Sequence, residues 1–189
     1  MSEARHLLFR GGLVEKRYIA VSMGGGETWG RDAFRKQWPP ENFFELLRLI
    51  REEMSYDGVV LLGTSQDALA DGAIKKDPTI NLLDLCGKTD ILLASAIIKL
   101  SKFYLGNDGG LTHIASSLDT PLVAFYGPAD PAVYGPYPPR ADALAITKNL
   151  PCQPCYRSFR YNGTCPHLAC LRELAPHDVL TYLRKVDFF

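Results

Sequence analysis

The chain lacks an excess of charge of either sign. Its 21 lysine and arginine residues balance 21 aspartate and glutamate residues, so the formal net charge is zero. No run of lysine or arginine stands out, although proteins that bind nucleic acid usually carry a basic stripe. We therefore expect a small ligand and no nucleic-acid partner.

Long apolar runs are missing as well. No stretch reaches the roughly 20 apolar residues that cross a bilayer, and the opening residues Met-Ser-Glu-Ala-Arg-His do not resemble a secretory signal. These absences predict a cytoplasmic protein with no transmembrane segment. Stable disulfides are rare in that compartment.

Several catalytic signatures are absent too. The sequence has no Walker motif and no His-Glu-x-x-His, and neither a Ser-His-Asp order nor paired carboxylates at a catalytic spacing. The run Gly24-Gly25-Gly26 lacks the spacing of the dinucleotide fingerprint Gly-x-Gly-x-x-Gly. Hydride transfer is accordingly disfavoured.

What the chain does have is an alternation of β-rich apolar runs with amphipathic stretches. Its 189 residues, 47% of them hydrophobic, suit one globular domain with a substantial core. Strands are predicted over Tyr18–Ser22, Val59–Leu62, Thr79–Leu82, Phe103–Gly106, Leu122–Tyr126 and Ala143–Thr147. Helices are predicted over Pro40–Met54, Asp90–Leu100, Thr112–Leu118 and Pro176–Lys185, with a helix or loop over Gln66–Ile74.

This alternation predicts an α/β fold, a Rossmann-like parallel sheet with helices on both faces. Residues 1–16 are predicted to be a linker or N-terminal extension, and residues 17–189 the domain, which includes a Cys-rich loop at 151–172. Ligands on such sheets bind beyond the carboxyl ends of the strands, where the strand order reverses. Because glycine-bearing turns follow most of the predicted strands, we expect these turns on one rim.

Residues 105–128 are the most informative part of the sequence. They predict a strand, a turn containing Gly109 and Gly110, a short helix, a second strand and a second glycine turn. The N-terminus of the helix presents free N–H groups and the positive end of its dipole, which together favour an anion such as a diphosphate. By itself, the turn is equally compatible with a simple reversal of the chain.

The side chains of this segment carry a family resemblance. Asp108-Gly-Gly-Leu-Thr-His113, followed by Phe125-Tyr-Gly-Pro128, resembles the donor-site signature of the bacterial heptosyltransferases (glycosyltransferase family 9), which use ADP-heptose to build lipopolysaccharide. The family usually has Ser or Thr at the position of Gly109. The resemblance covers residues 17–185 and implies one lobe of a GT-B glycosyltransferase, its C-terminal donor-binding half.

The resemblance also implies the residues of the site. Lys36 and Asp108 would be catalytic, and Lys36, in the family-like element Lys36-Gln-Trp-Pro39, would face the donor diphosphate or sugar. Donor and nucleotide binding would fall to Gly24, Gly25, Lys36, Asp67, Thr89, Asp108, Gly109, Gly110, Leu111, Thr112 and His113. The resemblance implies no metal, and no cofactor besides the ADP-sugar, which is the donor substrate.

Several of these residues have a plain structural alternative. Lys36 could be a solvated lysine, and Asp67, which the resemblance places at the ribose hydroxyls, could offset a helix dipole. Thr89 would lie either in the turn beside the adenine or at a helix N-cap. Asp108 would cap its turn or accept hydrogen bonds from sugar hydroxyls, and His113 would be either a buried histidine or a phosphate or sugar contact.

The resemblance implies an inverting transfer of heptose or a related sugar from an ADP-sugar to a lipopolysaccharide-type acceptor. The base and the acceptor site would belong to an N-terminal domain outside this chain, so we expect the isolated chain to be inactive. Peripheral association with the inner membrane is compatible with this role. The alternative function is a stand-alone module that binds a nucleotide or sugar nucleotide without catalysis.

Four cysteines lie close together in the sequence. Their pattern is Cys152-x2-Cys155-x9-Cys165-x4-Cys170, with His167 among them. Such a density of thiols suggests structural zinc, whereas reduced packing or oxidation would leave the thiols without a metal. The sequence leaves these alternatives open, and none of them implies catalysis.

Overall fold

The computed structural model describes residues 1–26, 29–68, 79–161 and 165–189. Its central element is a six-stranded sheet formed by β1 (Tyr18–Ser22), β2 (Gly58–Leu61), β3 (Leu82–Asp84), β4 (Phe103–Asn107), β5 (Leu122–Phe125) and β6 (Ala143–Ile146). Neighbouring strands pair in parallel throughout. The predicted Rossmann-like parallel sheet is confirmed.

Helices connect the strands and cover the sheet. They are α1 (Ser2–Arg10), α2 (Pro40–Glu53), α3 (Ile91–Leu100), α4 (Gly110–Ser117), α5 (Pro131–Tyr134), α6 (Ala169–Arg172) and α7 (Pro176–Lys185). Short 3₁₀ helices over Gly30–Lys36 and Ser65–Asp67 follow β1 and β2, and β7 (Tyr156–Arg157) pairs antiparallel with β8 (Arg160–Tyr161). Within the described residues, every helix falls short of the length and apolarity that crossing a membrane requires.

The strands divide their side chains between two cores, as a period of two residues requires. In β1, Ile19 and Val21 belong to the core that α2 and α7 cover, whereas Tyr18 and Ala20 belong to the core that α1 and α3 cover. Helices therefore lie on both faces of the sheet, as predicted.

The chain between β1 and α2 is anchored by Trp38. This residue is fully buried, and its ring packs against Phe43 of α2 and Phe125 of β5. Its indole Nε1 donates a hydrogen bond to the carbonyl of Leu174 at 2.9 Å. The helix then begins at Pro40, whose restricted φ suits a first helical turn.

Residues 1–16, predicted as a linker or an extension, contain a helix. α1 buries Ala4 and Leu8 in the core on the α3 side, and Leu13 beyond it is buried as well. Ala4, Leu7 and Leu8 have the i, i+3, i+4 spacing of a helix face only once, which is too short a pattern to predict a helix from the sequence.

The third strand starts later than predicted. It begins at Leu82 instead of Thr79, and Leu82 is the first residue paired with β2, opposite Val59, whose N–H donates to the carbonyl of Asn81 at 2.8 Å. The helix or loop predicted over residues 66–74 lies largely outside the described residues.

The strand order is β3-β2-β1-β4-β5-β6, so the order reverses between β1 and β4. In open α/β sheets, ligands bind outside the carboxyl ends of the strands at this point. Ser22 and Gly106 are paired across the two strands near their carboxyl ends. The fold therefore brings the turn after β1 next to the turn that leads into α4.

Candidate functional site

A cleft of about 420 Å³ opens at the carboxyl ends of β1 and β4. Its walls come from the turns after β1 and β2, the first turn of α3 and the N-terminus of α4. The cleft brings together these predicted site residues: Gly24, Asp67, Thr89, Gly109, Gly110 and Leu111. The sequence-based expectation of a common rim therefore agrees with the geometry.

The N-terminus of α4 opens into this cleft. Among the described residues, the N–H groups of Gly109, Gly110 and Leu111 have no hydrogen-bond partner, whereas the N–H of Thr112 donates to the carbonyl of Gly109 at 3.1 Å. Unpaired N–H groups at the positive end of a helix dipole form an anion-binding site. The φ of Gly109 is −178°, and a Cβ atom there would meet its nearest neighbour at 3.8 Å, so a side chain would fit.

Close packing requires the glycines after β1. A Cβ atom at Gly24 would overlap the carboxylate of Asp67, and a Cβ atom at Gly25 would overlap the carbonyl oxygen of Ala33. Gly24 therefore lets Asp67 approach the turn after β1 from the β2 side. The contact of these glycines with a donor stays a prediction.

Asp67 lies between two cavities. It lines the cleft and also a second depression of about 520 Å³, to which Gly25 and Gln37 contribute. Its Oδ2 accepts hydrogen bonds from the N–H and the hydroxyl of Thr64 at 2.8 and 2.9 Å, forming a capping box. The helix-end alternative for Asp67 therefore agrees with the structure, and both carboxylate oxygens lie close to Gly24.

Lys36 and Asp108 form an ion pair, and neither side chain is among those that line the two cavities, although the neighbours of Asp108 in the sequence, Asn107 and Gly109, line the cleft. Lys36 Nζ lies 3.0 Å from Asp108 Oδ2, and the two side chains are only 7% and 8% exposed. Lys36 Nζ also lies 5.0 Å from the centroid of the Trp29 ring, a cation–π contact. The alternative of a solvated lysine is therefore wrong. The ammonium also neutralises a carboxylate that would otherwise repel a phosphate.

Thr112 and His113 are not among the residues that line the two cavities. Thr112 is fully buried, and its hydroxyl donates to the carbonyl of Asn107 at 2.6 Å beneath the first turn of α4. His113 is exposed on α4, so the alternative of a buried histidine is wrong. Contacts of either residue with a donor stay predictions.

Thr89 lines the cleft but does not cap α3. The N-cap is Asp90, whose Oδ1 accepts the N–H of Leu93 at 2.7 Å, so the cap alternative for Thr89 is wrong. Ile91 and Leu111 give this side of the cleft an apolar wall, and Ile91 is 66% exposed. An open apolar wall suits a flat, weakly polar ring.

The cleft also includes a buried tyrosine. The hydroxyl of Tyr104 lies 3.3 Å from the hydroxyl of Thr112, and Tyr104 lines the cleft. Burial raises the pKa of Tyr104 to about 12, while hydrogen bonds with Thr112 and Ser22 oppose the shift. The phenol therefore stays protonated at neutral pH.

The sequence reasoning missed Asn107. This residue ends β4, lines the cleft and is 1% exposed. Its side-chain amide is hydrogen-bonded to the backbone of Trp38 and Met23. A polar side chain at the carboxyl end of a buried strand was the available signal.

Residues 8–164 match the family model of glycosyltransferase family 9 (heptosyltransferase). The chain belongs to this family. It is 33% identical over 156 residues to lipopolysaccharide heptosyltransferase 2 of Salmonella typhimurium, a match that covers 80% of this chain and 42% of that protein.

Solved structures of the family share the fold. The E. coli ADP-heptose LPS heptosyltransferase II has a TM-score of 0.69 and 26% identity, over 98% of this chain and 51% of its own. A family 9 protein from Veillonella parvula has a TM-score of 0.74 and 21% identity, and the match covers 98% of this chain and 50% of that protein. At this identity the likeness shows the fold alone. The predicted GT-B lobe is confirmed, and the chain spans about half the length of these relatives.

The Cys-rich segment of this family 9 chain holds free thiols at Cys152, Cys155, Cys165 and Cys170. In the part of the chain that the structure describes, no three metal-ligating side chains are placed to hold an ion. Burial raises the pKa of Cys170 to about 11 and also raises that of Cys155, and neighbouring thiols add to both shifts. These two thiols are therefore protonated at neutral pH.

Proposed function

We propose that this chain is the donor-binding domain of a heptosyltransferase-type enzyme and binds an ADP-sugar in the cleft between β1 and β4. The α4 N-terminus carries the proposal, because the N–H groups of Gly109, Gly110 and Leu111 have no partner among the described residues. Lys36 adds a buried positive charge nearby. Membership of family 9 and the ADP-heptose enzyme among its structural relatives support the choice of donor.

Different walls of the cleft suit different parts of such a donor. The diphosphate lies over the α4 N-terminus, where the helix dipole and N–H groups stabilise anionic oxygens. The base lies against the apolar wall of Ile91 and Leu111, beside the backbone at Thr89. Asp67 accepts the ribose hydroxyls, because a carboxylate accepts several hydrogen bonds at once.

The catalytic contribution of this domain is electrostatic. During transfer, negative charge grows on the leaving diphosphate, and preorganised N–H groups stabilise it without a metal. Lys36 adds its ammonium, which Asp108 holds at 3.0 Å before the donor binds. Asp108 then accepts hydrogen bonds from hydroxyls of the donor sugar. An inverting reaction onto a lipopolysaccharide-type acceptor takes its base from an N-terminal domain outside this chain.

Isothermal titration calorimetry in excess chelator tests the donor site. We expect ADP to bind more tightly than UDP or GDP and to keep its affinity without divalent metal. AMP is the matched control, and we expect it to bind about 1–3 kcal/mol more weakly, because it lacks the phosphate that meets charge-assisted donors. Equal affinities for AMP and ADP, or a strict need for magnesium, would overturn the diphosphate assignment.

A further inference from the structure

Asn107 uses both ends of its side-chain amide on backbone groups. Its Oδ1 accepts the N–H of Trp38 at 2.9 Å. Its Nδ2 donates to the carbonyl of Met23 at 2.7 Å and approaches the carbonyl of Gly24 at 3.5 Å. Since the residue is 1% exposed, water does not compete for these bonds.

The partners of Asn107 belong to separate segments of the chain. Met23 and Gly24 form the turn after β1, and Trp38 lies two residues beyond Lys36. The hydroxyl of Thr112, in the first turn of α4, donates to the backbone carbonyl of Asn107 at 2.6 Å. One residue therefore bonds to each segment that supplies a group to the proposed diphosphate site.

The Lys36 segment is held at two points by the end of β4. Asn107 accepts the N–H of Trp38, and the next residue, Asp108, pairs with Lys36 Nζ. The Trp38 side chain is fixed in the core by its bond to Leu174. The backbone that carries Lys36 therefore has little freedom to move relative to α4.

We propose that Asn107 is a positioning residue that holds Lys36 and the Gly24 turn in a fixed arrangement around the α4 N-terminus. The inference rests on the proposed function, because it assumes that these groups bind a diphosphate together. An amide suits the position, since it supplies a donor and an acceptor from one planar group. Preorganised groups stabilise an anion more than groups that first have to rearrange.

The test compares ADP affinity in Asn107→Leu and Asn107→Ala with that of the unchanged chain. Leucine keeps the branched shape and the number of side-chain heavy atoms of asparagine, alanine does not, and both remove the amide. We expect about a tenfold loss of affinity, the size of one to two neutral hydrogen bonds. Leu183→Ala is the control, because it destabilises the buried face of α7 and leaves the rim intact. An equal loss of affinity in that control would contradict a positioning role.

A double-mutant cycle with Lys36→Ala separates positioning from general support. If Asn107 acts through Lys36, its replacement costs less affinity once Lys36 is absent. If the loss of ADP affinity in the double variant equals the product of the losses in the two single variants, the inference is overturned. A fully folded Asn107→Leu chain that binds ADP as tightly as the unchanged chain would also overturn it.

Amide exchange without ligand keeps this inference distinct from the proposed function. We expect slow exchange of the Trp38 N–H and the Asn107 side-chain NH₂ in the unchanged protein, and faster exchange of Trp38 after either substitution. Rapid exchange in the unchanged protein overturns the arrangement even if no variant folds. An unchanged protein that binds no ADP refutes the proposed function, whereas ADP binding that is indifferent to residue 107 refutes only this inference.

Discussion

At the scale of single residues, the most consequential feature is the burial of Lys36 with Asp108. A buried ion pair gives little net stability, but removing one partner leaves the other charged and desolvated. The ion pair gives the lysine a role in the folded state, and the proposed function adds a separable role towards an anionic ligand. Substitution of Lys36 should therefore change both the stability of the fold and the affinity for an anionic ligand.

We expect Lys36→Ala to lower ADP affinity by about 1–3 kcal/mol, because a charge-assisted hydrogen bond is lost. The same change should lower the free energy of unfolding by about 3–5 kcal/mol, since Asp108 is left unpaired. Calorimetry and urea denaturation measure the two effects. The exposed Lys102 gives a control, Lys102→Ala, that should change neither, and a Lys36→Ala chain of unchanged stability would contradict the buried pair.

Gly109 offers a second prediction at this scale. Its extended φ and open surroundings accept a side chain, so Gly109→Ser should raise the free energy of unfolding by roughly 0.5–1 kcal/mol, by restricting the unfolded chain and improving the N-cap. The control is Gly24→Ser, whose Cβ atom would overlap Asp67 and which should destabilise the fold. Thermal denaturation of both variants checks the contrast, and a destabilised Gly109→Ser would contradict it.

At the scale of elements, the start of α4 is the proposed anion site, and one substitution can remove a single N–H from it. Gly110 is the first residue of α4, and a Cβ atom there meets nothing within 4 Å. Proline is favoured at a first helical position, and the residue before it prefers the extended conformation that Gly109 already has. The helix should therefore survive the change.

We expect Gly110→Pro to weaken ADP binding by about 1.5–3 kcal/mol, because one donor to a charged oxygen is lost, with no fall in melting temperature. Gly110→Ala keeps the N–H and serves as the matched control, with affinity close to that of the unchanged chain. Calorimetry beside thermal denaturation measures both. Equal affinities of the two variants would mean that this N–H does not meet the ligand.

At the scale of the whole molecule, the two cores contain ionisable groups that stay neutral in the fold. Burial raises the pKa of Cys86 from 9.0 to about 12 and that of Tyr104 from 10.0 to about 12. Because the folded state prefers their protonated forms, the stability they contribute is complete below the unfolded pKa values and is lost as the pH rises through the folded ones.

The free energy of unfolding should therefore fall between about pH 9 and pH 12. Urea denaturation over this range measures the decline. We expect Cys86→Ala to make the decline less steep, since one titrating group is gone. The exposed Cys152 gives the comparison Cys152→Ala, which should leave the slope as it is, and a flat profile in the unchanged protein would contradict the burial of these groups.

The chain spans about half the length of its relatives, and this sets a prediction for catalysis. We expect the isolated chain to bind an ADP-sugar but to transfer no sugar to a truncated lipopolysaccharide acceptor, because the proposed function takes its general base from an acceptor-binding half outside this chain. The assay uses ADP-heptose, with and without a separately supplied N-terminal half of a family 9 relative. Full-rate transfer by this chain alone would place the base within it, with Asp108 the first candidate.

The sequence by itself determined the alternation of strands and helices and the location of the glycine turns. Periodicity and turn chemistry are local, so the bounds of β1 and α7 follow directly from their residues. The motif at 108–113 likewise indicated the family, since its side chains are contiguous. At the start of α3 the sequence left Thr89 open between a turn beside the adenine and an N-cap, and the structure uses Asp90 as the cap, because neighbouring polar residues can each begin a helix.

Only the tertiary structure decided how distant residues meet. Lys36 and Asp108 are 72 positions apart in the sequence, and the adjacency of β1 and β4 brings them to 3.0 Å. The same crossing turns Asn107 from an ordinary strand-end residue into a bridge between backbone segments. Burial and pairing depend on which strands become neighbours, and that choice reflects the packing of two whole cores, which no local pattern encodes.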